Sequence, residues 1–556
     1  MKTVIIGGVA GGASAAARLR RLDEAAEIII LERGEFVSFA NCGLPYYIGG
    51  TITGKSSLML QTPQSFRARF NIDVRVRNEA VKIDPASKTV TVNDLTSGKS
   101  YEESYDELIL SPGAEPIKPD IEGIDSDNVF TLRNIPDTLK IKDYIEREKP
   151  KTAVVVGGGY IGTEMAENLH EAGLQVAVAE LADHLIAPLD LDMAADLHRH
   201  LKAKGIKLYL GSGVKAVKGR TAVLQSGEIA ADMVIMSVGV RPETKLAKDC
   251  GVETNSRGSI ITDKNMRTNI PHIYAVGDAV QVSEFVTGAP AFIPLAGPAN
   301  KQGRIAADNI AGIPSEYTGT QGSSVLKVFD MTAAATGLNE RAAKAAGIDY
   351  DKTYIYSGSH ASYYPGAENM SIKALWDRNT HRLIGAQAVG GEGVDKRIDV
   401  LATAIRLGAK VTDLTSLELC YAPPYGSAKD PVNMVGFVAE NVITGKIKQI
   451  FWHDVDELPR DGSVTLLDVR TAAETTGGMI DGFVNIPLDT LREHMDEIPK
   501  GKPVYICCLA GPRSYIACRI LSANGYDCYN LAGGYRLYQS VTRERTVPDY
   551  KCTDCK

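Results

Sequence analysis

Short apolar runs alternate with glycine-rich turns and helix-forming stretches in the first half of the chain. The first unit consists of the apolar run KTVII, the turn GGVAGG, the alanine- and leucine-rich stretch ASAAARLRRLD, and the run EIIIL, after which comes Glu32. The same order recurs at residues 152–180 and ends at Glu180. Two units of strand, glycine turn, helix and strand predict two parallel α/β domains that each bind a dinucleotide.

The second unit interrupts the first domain, because TNIPHIYAVGDAV at 268–280 resumes a strand and a turn. From about residue 322, strand pairs such as SSVLKVFDMTAAATG and one helical stretch predict a mixed α+β domain. A short linker, TGKIKQI (444–450), precedes a further βα pattern. We therefore predict an α/β fold with two Rossmann-like domains, an α+β domain and a C-terminal α/β domain. Their predicted ranges are 1–112 with 245–321, 113–244, 322–445, and 451–556.

Composition narrows the classes of function. The chain has 556 residues, 44% apolar and 23% charged, with a net charge of −7, which argues against a general nucleic-acid surface. It has no apolar run of roughly 18 residues that would span a membrane, and its start, MKTVIIGG, has no signal-peptide pattern. We expect a cytoplasmic protein with neither nucleic-acid nor membrane partners. Nine scattered cysteines do not form the framework of a secreted disulfide protein.

The second glycine turn is the more regular of the two. Gly157, Gly159 and Gly162 fit G-x-G-x-x-G between a strand and a helix, where glycines allow a tight turn and the helix N-terminus faces a pyrophosphate. Glu180 follows at the distance expected of a residue that binds a ribose 2′-hydroxyl. No arginine or lysine in AELADHL offers a counter-charge for a 2′-phosphate, which favours NADH over NADPH. A glycine turn in an unrelated α/β domain is the alternative.

The first glycine turn is less regular. Gly7 and Gly12 fit the pattern, but Val9 stands where the second glycine belongs. Glu32 follows Gly12 by 20 residues, and Asp278 at the end of a later strand is placed to hold a ribityl or phosphate-linked hydroxyl. The alternative is a structural βαβ unit without a ligand.

Cys42 follows the first unit in the stretch SFANCGLPYY. Val37 and Tyr47 occupy the positions five residues away, so the thiol has no partner for a self-closing disulfide there. Asn41 and Gly43 leave room for a ligand, and a helix beginning in GLPYY would lower the pKa of the thiol. A redox thiol beside a flavin is the prediction, and a buried structural cysteine is the alternative.

Cys508 lies between an apolar strand and a helix in VYICCLAGPRS. Four residues separate it from Arg513, and backbone N–H groups of such a loop, with the arginine, would stabilise a thiolate or persulfide. Cys507 alternates to the other side of the strand and is expected in the core. The tail pair Cys552 and Cys555 is half a zinc site, and no nearby pair completes it, so we expect no metal.

The motifs described above resemble those of known protein families. Residues 1 to about 445 resemble the pyridine nucleotide-disulfide oxidoreductases, specifically the single-cysteine branch of coenzyme A disulfide reductases. The resemblance is carried by GGVAGGASAAARLRRLD, SFANCGLPYY, GGGYIGTEMAENL, YAVGDA, PLAGPANKQGR and YAPPY. Residues 451–556 resemble a rhodanese domain through LLDVR, GFVNIPL, CLAGPRS and NLAGGY. Together the two cover nearly the whole chain, as in fused coenzyme A disulfide reductase-rhodanese proteins, which include NADH-dependent persulfide reductases.

The resemblance implies a role for each candidate residue. Cys42 is the redox thiol, Tyr363 and Tyr421 assist coenzyme A chemistry from the other subunit of a homodimer built by residues 322–445, and Cys508 with Arg513 carries sulfur. The remaining candidates are, for FAD, Gly7, Gly8, Gly12, Glu32, Arg33, Gly113, Gly277, Asp278, Pro294, Leu295 and Ala296; for NADH, Gly157, Gly159, Gly162, Glu180 and Gly239; and for coenzyme A, Asn41, Arg18, Arg21 and Asn300. For Arg18, Arg20 and Arg21, a solvated helix face is an equally open interpretation.

These roles predict an enzyme. NADH would reduce FAD, and FAD would reduce a mixed disulfide between Cys42 and coenzyme A. The rhodanese domain favours coenzyme A persulfide or polysulfide as the substrate, with hydrogen sulfide as a product. Reduction of coenzyme A disulfide is the close alternative. Peroxide or oxygen reduction through a Cys42 sulfenic acid, and a non-enzymatic sulfur-binding scaffold, are less favoured.

Overall fold

The apolar runs of the sequence form strands, and the stretches between them form helices, in a computed structural model that describes residues 1–545. The tail pair Cys552 and Cys555 lies outside the described residues. The helices are α1 (Ala10–Leu22), α2 (Leu44–Ile48), α3 (Pro63–Phe70), α4 (Ile135–Glu148), α5 (Tyr160–Glu171), α6 (Leu191–Ala203), α7 (Lys245–Asp249), α8 (Ala296–Ile310), α9 (Glu340–Ala345), α10 (Val394–Leu407), α11 (Pro431–Ile443), α12 (Ala472–Thr475), α13 (Pro512–Ala523) and α14 (Gly534–Arg545).

The strands are β1 (Lys2–Ile6), β2 (Glu27–Glu32), β3 (Asp73–Val76), β4 (Asn78–Asp84), β5 (Thr89–Asp94), β6 (Lys99–Ser104), β7 (Glu107–Leu110), β8 (Ala114–Pro116), β9 (Val129–Thr131), β10 (Thr152–Val156), β11 (Gln175–Ala179), β12 (Lys207–Tyr209), β13 (Val214–Lys218), β14 (Thr221–Leu224), β15 (Gly227–Ala230), β16 (Met233–Met236), β17 (Val240–Pro242), β18 (Ile273–Ala275), β19 (Val282–Ser283), β20 (Pro290–Ala291), β21 (Ser324–Val328), β22 (Met331–Gly337), β23 (Tyr350–Gly358), β24 (Asn369–Asp377), β25 (Leu383–Gly390), β26 (Lys448–Ile450), β27 (Thr465–Asp468), β28 (Val484–Asn485), β29 (Pro503–Cys507) and β30 (Asp527–Leu531).

The chain divides into two units. Unit 1 consists of Met1–Ala179 and Gly213–Gly322, and unit 2 consists of Glu180–Ser212 and the chain from Ser323 onward. The segment Glu180–Ser212 lies inside the predicted dinucleotide-binding range 113–244 but belongs to unit 2. The four predicted domain ranges therefore stay predictions.

Unit 1 contains two parallel sheets. The first has the strand order β18-β7-β1-β2-β3, so the late strand β18 returns to the sheet that β1 began. The second contains β11, β10, β16 and β9 in that order. Both glycine turns therefore follow a central strand, β1 or β10, which is buried and flanked by two parallel neighbours. The α/β class predicted from the sequence is confirmed.

Two apolar layers sandwich the first sheet. Alternate residues of β1 point to opposite faces, so Ile5 packs under α1 and α8, whereas Val4 packs against the antiparallel sheet β4-β5-β6. Where α1 and α8 cross, a Cβ on Gly303 would lie 2.3 Å from the Gly11 carbonyl oxygen, so the two helix backbones touch. This contact fixes the beginning of α8 beside the first glycine turn.

Unit 2 contains an antiparallel sheet of order β21-β22-β25-β24-β23 and a parallel sheet of order β26-β30-β29-β27-β28. The second sheet is the predicted C-terminal α/β domain. The predicted linker 444–450 is wrong in part, because Lys448–Ile450 forms β26 and pairs with β30. Ile447 is also buried in the core of this sheet, and Val442 of α11 packs against that core. The connection between the two sheets is therefore short and packed rather than a free tether.

A buried ionic cluster lies inside unit 2. The side chain of Lys373 is fully buried, and its ammonium lies 2.7 Å from Asp190, 2.9 Å from Asp192 and 2.5 Å from Glu340. Burial disfavours the charged ammonium, but the three carboxylates outweigh it and raise the pKa of Lys373 well above its ordinary value. Lys352 adds a second ammonium, 2.7 Å from Glu340.

The same cluster joins the two sheets of unit 2. Trp452, just after β26, donates its indole N–H to Asp192 at 3.2 Å. Ser540 of α14 donates to Asp196 of α6 at 2.8 Å, and Lys352 lies over the ring of Phe451, 4.5 Å from its centroid. Hydrogen bonds that satisfy buried charges require a defined geometry, so these contacts hold the C-terminal domain in one orientation within the unit.

Candidate functional site

The first glycine turn forms a close-fitting cradle. Gly7 has φ +97°, and a Cβ there would lie 2.1 Å from the Ser111 carbonyl oxygen, while a Cβ on Gly12 would lie 2.0 Å from the Gly7 oxygen. Only glycine satisfies both positions. Glu32 at the end of β2 accepts the N–H of Gly8 at 3.0 Å and the N–H of Gly34 at 2.8 Å.

The carboxyl ends of β7 and β18 lie beside this cradle. Gly277 has φ +83° and donates its N–H to Gln302 of α8 at 2.7 Å. Burial raises the pKa of the adjacent Asp278, against the opposing charge of Arg133. Pro294 and Leu295 directly precede α8, whose first residue is Ala296 and whose 15 residues give its N-terminus a positive field.

Arg33 and Gly113 lie on a network that encloses the same edge. Arg33 forms a two-point ion pair with Glu243, and Arg133 lies 3.0 Å from the same carboxylate. Gly113 has φ +75° and accepts the Glu243 N–H with its carbonyl at 3.0 Å. The glycine cradle, the carboxylates Glu32 and Asp278 and the N-terminus of α8 fit an FAD molecule.

The second glycine turn repeats the first. A Cβ on Gly157 would lie 2.4 Å from the Ser237 oxygen, and one on Gly162 would lie 1.9 Å from the Gly157 oxygen. Gly159 precedes α5, and within the described chain a Cβ there would meet no atom within 4 Å. Gly159 thus faces open space at the start of a 12-residue helix, which fits a pyrophosphate. Gly239, with φ +107°, follows the neighbouring strand β16.

Glu180 directly follows β11 in the chain and belongs to unit 2. Its carboxylate accepts the Ala182 N–H at 2.7 Å. This bond holds one oxygen of the carboxylate within the turn that follows β11.

Cys42 lies on a short 3₁₀ helix, Asn41–Gly43, immediately before α2. The predicted helix start is therefore present, but the predicted lowering of the thiol pKa is wrong. Partial enclosure of the sulfur, followed by the negative charges of Glu164 and Asp278, raises the pKa of Cys42 above its ordinary value. α2 has only five residues, so its field is too weak to reverse these effects.

The charges that act on Cys42 show where it lies. Asp278 is at the end of β18 beside the first glycine turn, and Glu164 is on the first turns of α5 beside the second. Cys42 therefore lies between the two predicted nucleotide cradles. The seven cysteines of the described chain are all free thiols, Cys42 among them.

Glu164 is a candidate that the sequence reasoning missed. It accepts a hydrogen bond from the Tyr46 hydroxyl at 3.2 Å. Burial, aided by repulsion from Glu167, raises the Glu164 pKa to about 7 despite that hydrogen bond. A carboxyl group with this pKa, close to a reactive thiol, exchanges a proton readily at neutral pH.

Two of the four predicted coenzyme A residues, Arg18 and Asn300, are bonded to other side chains or backbone groups of the protein. Arg18 forms an ion pair with Asp308 at 2.6 Å, and the Asn300 side chain bonds to Ser14 and to the Ala296 carbonyl. Arg21 and Asn41 are exposed. Arg20, by contrast, is buried, and its guanidinium donates to four backbone carbonyls, those of Asp23, Glu24, Phe70 and Asn71. The interpretation of Arg20 as a solvated or phosphate-binding residue is therefore wrong, because its guanidinium N–H groups are hydrogen-bonded to backbone carbonyls.

Tyr363 and Tyr421 lie together in unit 2. Their phenol oxygens are 2.8 Å apart, and both side chains are exposed. Exposed aromatic side chains beside prolines do not pack a loop of their own subunit, so this pair is presented outward.

Cys508 follows β29 and is 1% exposed. Its sulfur accepts the Gly511 N–H at 3.1 Å and the Ser514 hydroxyl at 3.2 Å. Ser514, on the first turn of α13, was missed by the sequence reasoning. Cys507 is buried on the other side of the strand, as predicted, and burial raises the pKa of its thiol.

The charge of Arg513 acts on the Cys508 sulfur, as predicted, but the guanidinium also pairs with a carboxylate. Its guanidinium forms a two-point ion pair with Glu474 of α12, with both N–O distances 2.7 Å. The hydrogen bonds from Arg513, with those from Thr471, lower the pKa of Glu474 to about 2. The hydrogen bonds to the Cys508 sulfur thus come from neutral donors, and the charge of Arg513, which acts on that sulfur through space, is balanced by Glu474.

This fold and these sites define a flavoprotein disulfide reductase with an added sulfurtransferase-like domain. Residues 1–303 match the pyridine nucleotide-disulphide oxidoreductase family, residues 323–431 match its dimerisation domain, and residues 452–540 match the rhodanese-like domain. The first match covers more than half of the 556 residues. The chain therefore belongs to the pyridine nucleotide-disulphide oxidoreductases, and the resemblance predicted from the sequence is confirmed.

Particular relatives share this arrangement. Coenzyme A disulfide reductase of Staphylococcus epidermidis is 38% identical over 441 residues, which are 79% of this chain and 100% of the relative. The crystal structure of reduced Bacillus anthracis CoADR-RHD is similar, with 50% identity, 98% of each chain covered and a TM-score of 0.96. The NAD-dependent persulfide reductase from A. fulgidus is 38% identical and covers 97% of this chain and 100% of its own, with a TM-score of 0.91.

Proposed function

We propose that this enzyme uses NADH and FAD to reduce coenzyme A persulfide or polysulfide to coenzyme A and hydrogen sulfide. One observation carries the proposal: the same chain holds Cys42 between two nucleotide cradles and Cys508 as a buried sulfur with two hydrogen-bond donors. A thiol without a partner cysteine needs an external sulfur, and a second hydrogen-bonded cysteine is suited to carry one. Persulfide and coenzyme A disulfide reduction are also named in similar proteins.

FAD would lie on Gly7, Gly12, Glu32, Asp278 and the N-terminus of α8, and NADH on Gly157, Gly159 and Gly162. When bound, the two cofactors supply a pair of electrons to a disulfide at Cys42. The residue set for FAD also includes Gly8, Arg33, Gly113, Gly277, Pro294 and Leu295, and the set for NADH includes Glu180 and Gly239.

The Cys42 step is a thiol–disulfide exchange. The Cys42 thiolate attacks the inner sulfur of coenzyme A persulfide, the bond to the outer sulfur breaks, and hydrosulfide leaves. Two electrons and one proton then convert the Cys42–coenzyme A disulfide into a thiolate and free coenzyme A. Overall, one NADH and one proton reduce one persulfide to a thiol and hydrogen sulfide.

Glu164 would take part in proton transfer during this cycle. Its pKa of about 7 leaves the carboxyl group partly protonated at neutral pH, so it would donate a proton to the leaving hydrosulfide, while Tyr46 holds the carboxyl group in place. Tyr363 and Tyr421, supplied by the partner subunit of a homodimer, would donate a proton to the departing coenzyme A sulfur. The homodimer and a cytoplasmic location remain predictions.

Reduction of coenzyme A disulfide is the second candidate. The exposed tyrosine pair would serve it equally, because a proton donated to the departing coenzyme A thiolate completes either reaction. Oxygen or peroxide reduction is less favoured, since it uses neither the tyrosine pair nor Cys508.

Among residues 1–545, no helix has the length and apolar character of a membrane span.

The test is anaerobic NADH oxidation by the purified holoenzyme with coenzyme A persulfide or coenzyme A disulfide, with hydrogen sulfide assayed in parallel. We expect a preference for the persulfide and one sulfide formed per NADH. C42S would abolish both reactions, and C508S would lower persulfide turnover more than disulfide turnover. A preference for the disulfide would replace the proposal with thiol homeostasis, and equal persulfide turnover by C508S would remove Cys508 from the reaction.

A further inference from the structure

The loop that holds the Cys508 sulfur carries no charge that is free for a substrate. Between Cys508 and Arg513 the chain is Leu509, Ala510, Gly511 and Pro512, and the two donors to the sulfur, Gly511 N–H and Ser514 hydroxyl, are neutral.

Three arginines flank this loop, and each is engaged. Arg513 is bound by two hydrogen bonds to Glu474. Arg470 is buried and bound to Asp468 at 2.7 Å. Arg536 stacks its guanidinium over Tyr356, 4.5 Å from the ring centroid, although its backbone N–H holds the Leu509 carbonyl.

The surface around the Cys508 loop, here called the rim, is also partly apolar. Leu509 on the loop and Ile516 on α13 are 41% and 45% exposed. A dianionic donor such as thiosulfate would lose its hydration at this rim without gaining a counter-charge. The sulfane sulfur of a thiol persulfide carries at most one charge, which the loop N–H and the hydroxyl can meet.

We propose that Glu474, by neutralising Arg513, restricts the Cys508 site to thiol persulfides and excludes dianionic sulfur donors. Glu474 is therefore a specificity-determining residue. This inference rests on the proposed role of Cys508 as a sulfur carrier, and adds which donors it accepts.

Both reactions balance without another reactant. With a persulfide, the Cys508 thiolate attacks the outer sulfur, a new S–S bond forms on Cys508, and the donor leaves as a thiolate. With thiosulfate, the thiolate attacks the outer sulfur in the same way, and the bond to the sulfonate sulfur breaks to release sulfite. Thiosulfate brings two negative charges on the reacting group itself, whereas the persulfide group brings at most one.

Loading of Cys508 is measured without NADH. The full-length holoenzyme is mixed with coenzyme A persulfide or sodium thiosulfate, and the Cys508 peptide is analysed by mass spectrometry for one added sulfur. For the wild type we expect coenzyme A persulfide to load at least about 100-fold faster than thiosulfate. In E474Q we expect the thiosulfate-to-persulfide ratio of loading rates to rise about tenfold, because Arg513 gains a free charge.

The control variant is D527N. It removes one negative charge from the same domain, but Asp527 begins β30 beside Pro503, at the amino-terminal ends of these strands, whereas Cys508 follows the carboxyl end of β29. We expect its ratio to equal that of the wild type. Glutamine at 474 keeps an oxygen that accepts the Thr471 N–H of the α12 capping box, so the helix start is retained.

A double variant isolates the arginine. E474Q/R513M is expected to return the ratio to the wild-type value, and a gain that persists without Arg513 would overturn the inference. An unchanged ratio in E474Q would overturn it too. If E474Q does not fold, the wild type still provides a test. Equal rates of Cys508 loading from coenzyme A persulfide and from thiosulfate would overturn the inference. Failure of Cys508 to load from either donor would instead overturn its carrier role, and with it this inference, while reduction through Cys42 would be assayed separately by NADH oxidation.

Discussion

Tyr363 and Tyr421 are 58 residues apart in the sequence, and their hydroxyl oxygens share one hydrogen bond of 2.8 Å. That bond raises the pKa of Tyr363 above its ordinary value. A phenol that both donates and accepts can pass a proton to a leaving thiolate while its neighbour replaces it. We therefore expect the pair to act as one proton-donating group.

Replacement of either tyrosine by phenylalanine is expected to lower kcat/KM for coenzyme A disulfide about 100-fold, which is the scale of general acid catalysis. Because the two hydroxyls act together, Y363F/Y421F should lose little more than either single variant. Steady-state NADH oxidation measures the effect. Y425F is the matched control, since Tyr425 is 71% exposed, close to the 74% of Tyr363. Additive losses in the double variant would contradict the shared role.

The thiol of Cys42 is expected to become more reactive when Glu164 loses its charge. Above a pH of about 7 the Glu164 carboxylate is ionised, and its repulsion disfavours a thiolate nearby. E164Q should therefore lower the midpoint pH for alkylation of Cys42 by iodoacetamide, by about one unit. Peptide mapping after timed alkylation measures this midpoint. E171Q, at the exposed end of the same helix, is the control, and a rise in the midpoint of E164Q would refute the assignment.

Ser514 is expected to assist sulfur loading of Cys508. S514A removes one of two donors to the sulfur, and a hydrogen bond to a charged group contributes about 1.5 kcal/mol. The loading rate from coenzyme A persulfide should therefore fall roughly tenfold. S522A changes the same helix near another thiol and should load like the wild type. Unaltered loading in S514A would leave the Gly511 N–H as the effective donor.

Lys373 is expected to be essential to the stability of unit 2. K373M leaves Asp190, Asp192 and Glu340 buried beside one remaining ammonium, which should cost about 3–5 kcal/mol of unfolding free energy. Urea unfolding followed by the fluorescence of Trp376 and Trp452 measures this loss. K327M replaces an exposed lysine of the same domain and should change little. A loss under about 1 kcal/mol would mean that the carboxylates take up protons readily.

Local patterns in the sequence were sufficient to predict the fold class. Each glycine fingerprint lies between a buried strand and a helix, and the single-cysteine stretch precedes a helix, because these features depend on neighbours in the chain. Glu32 and Glu180 follow their strands for the same reason. The family and the fold class were predicted from these motifs and are confirmed.

The charge partners could not be predicted in this way. Arg18 pairs with Asp308, Arg20 donates to carbonyls near residue 70, and Arg513 pairs with Glu474, so each has a partner far along the chain that its sequence neighbours do not reveal. The capping signature T-A-A-E at 471–474 predicts a helix start, but its glutamate also meets an arginine 39 residues later. The high pKa of Glu164 depends on burial that a linear pattern does not record.

β26 has a consequence for how such a fused enzyme can be rearranged. Lys448–Ile450 forms the outer strand of the C-terminal sheet, Ile447 just before it is buried in the core of that sheet, and Val442 of α11 packs against the same core. A rhodanese module exchanged at residue 451 would arrive without that strand, leaving the backbone of β30 unpaired and open to pairing with other chains. Exchange of this module between relatives therefore has to carry the end of α11 with it. The structural boundary of the C-terminal module therefore lies upstream of residue 451, at the end of α11.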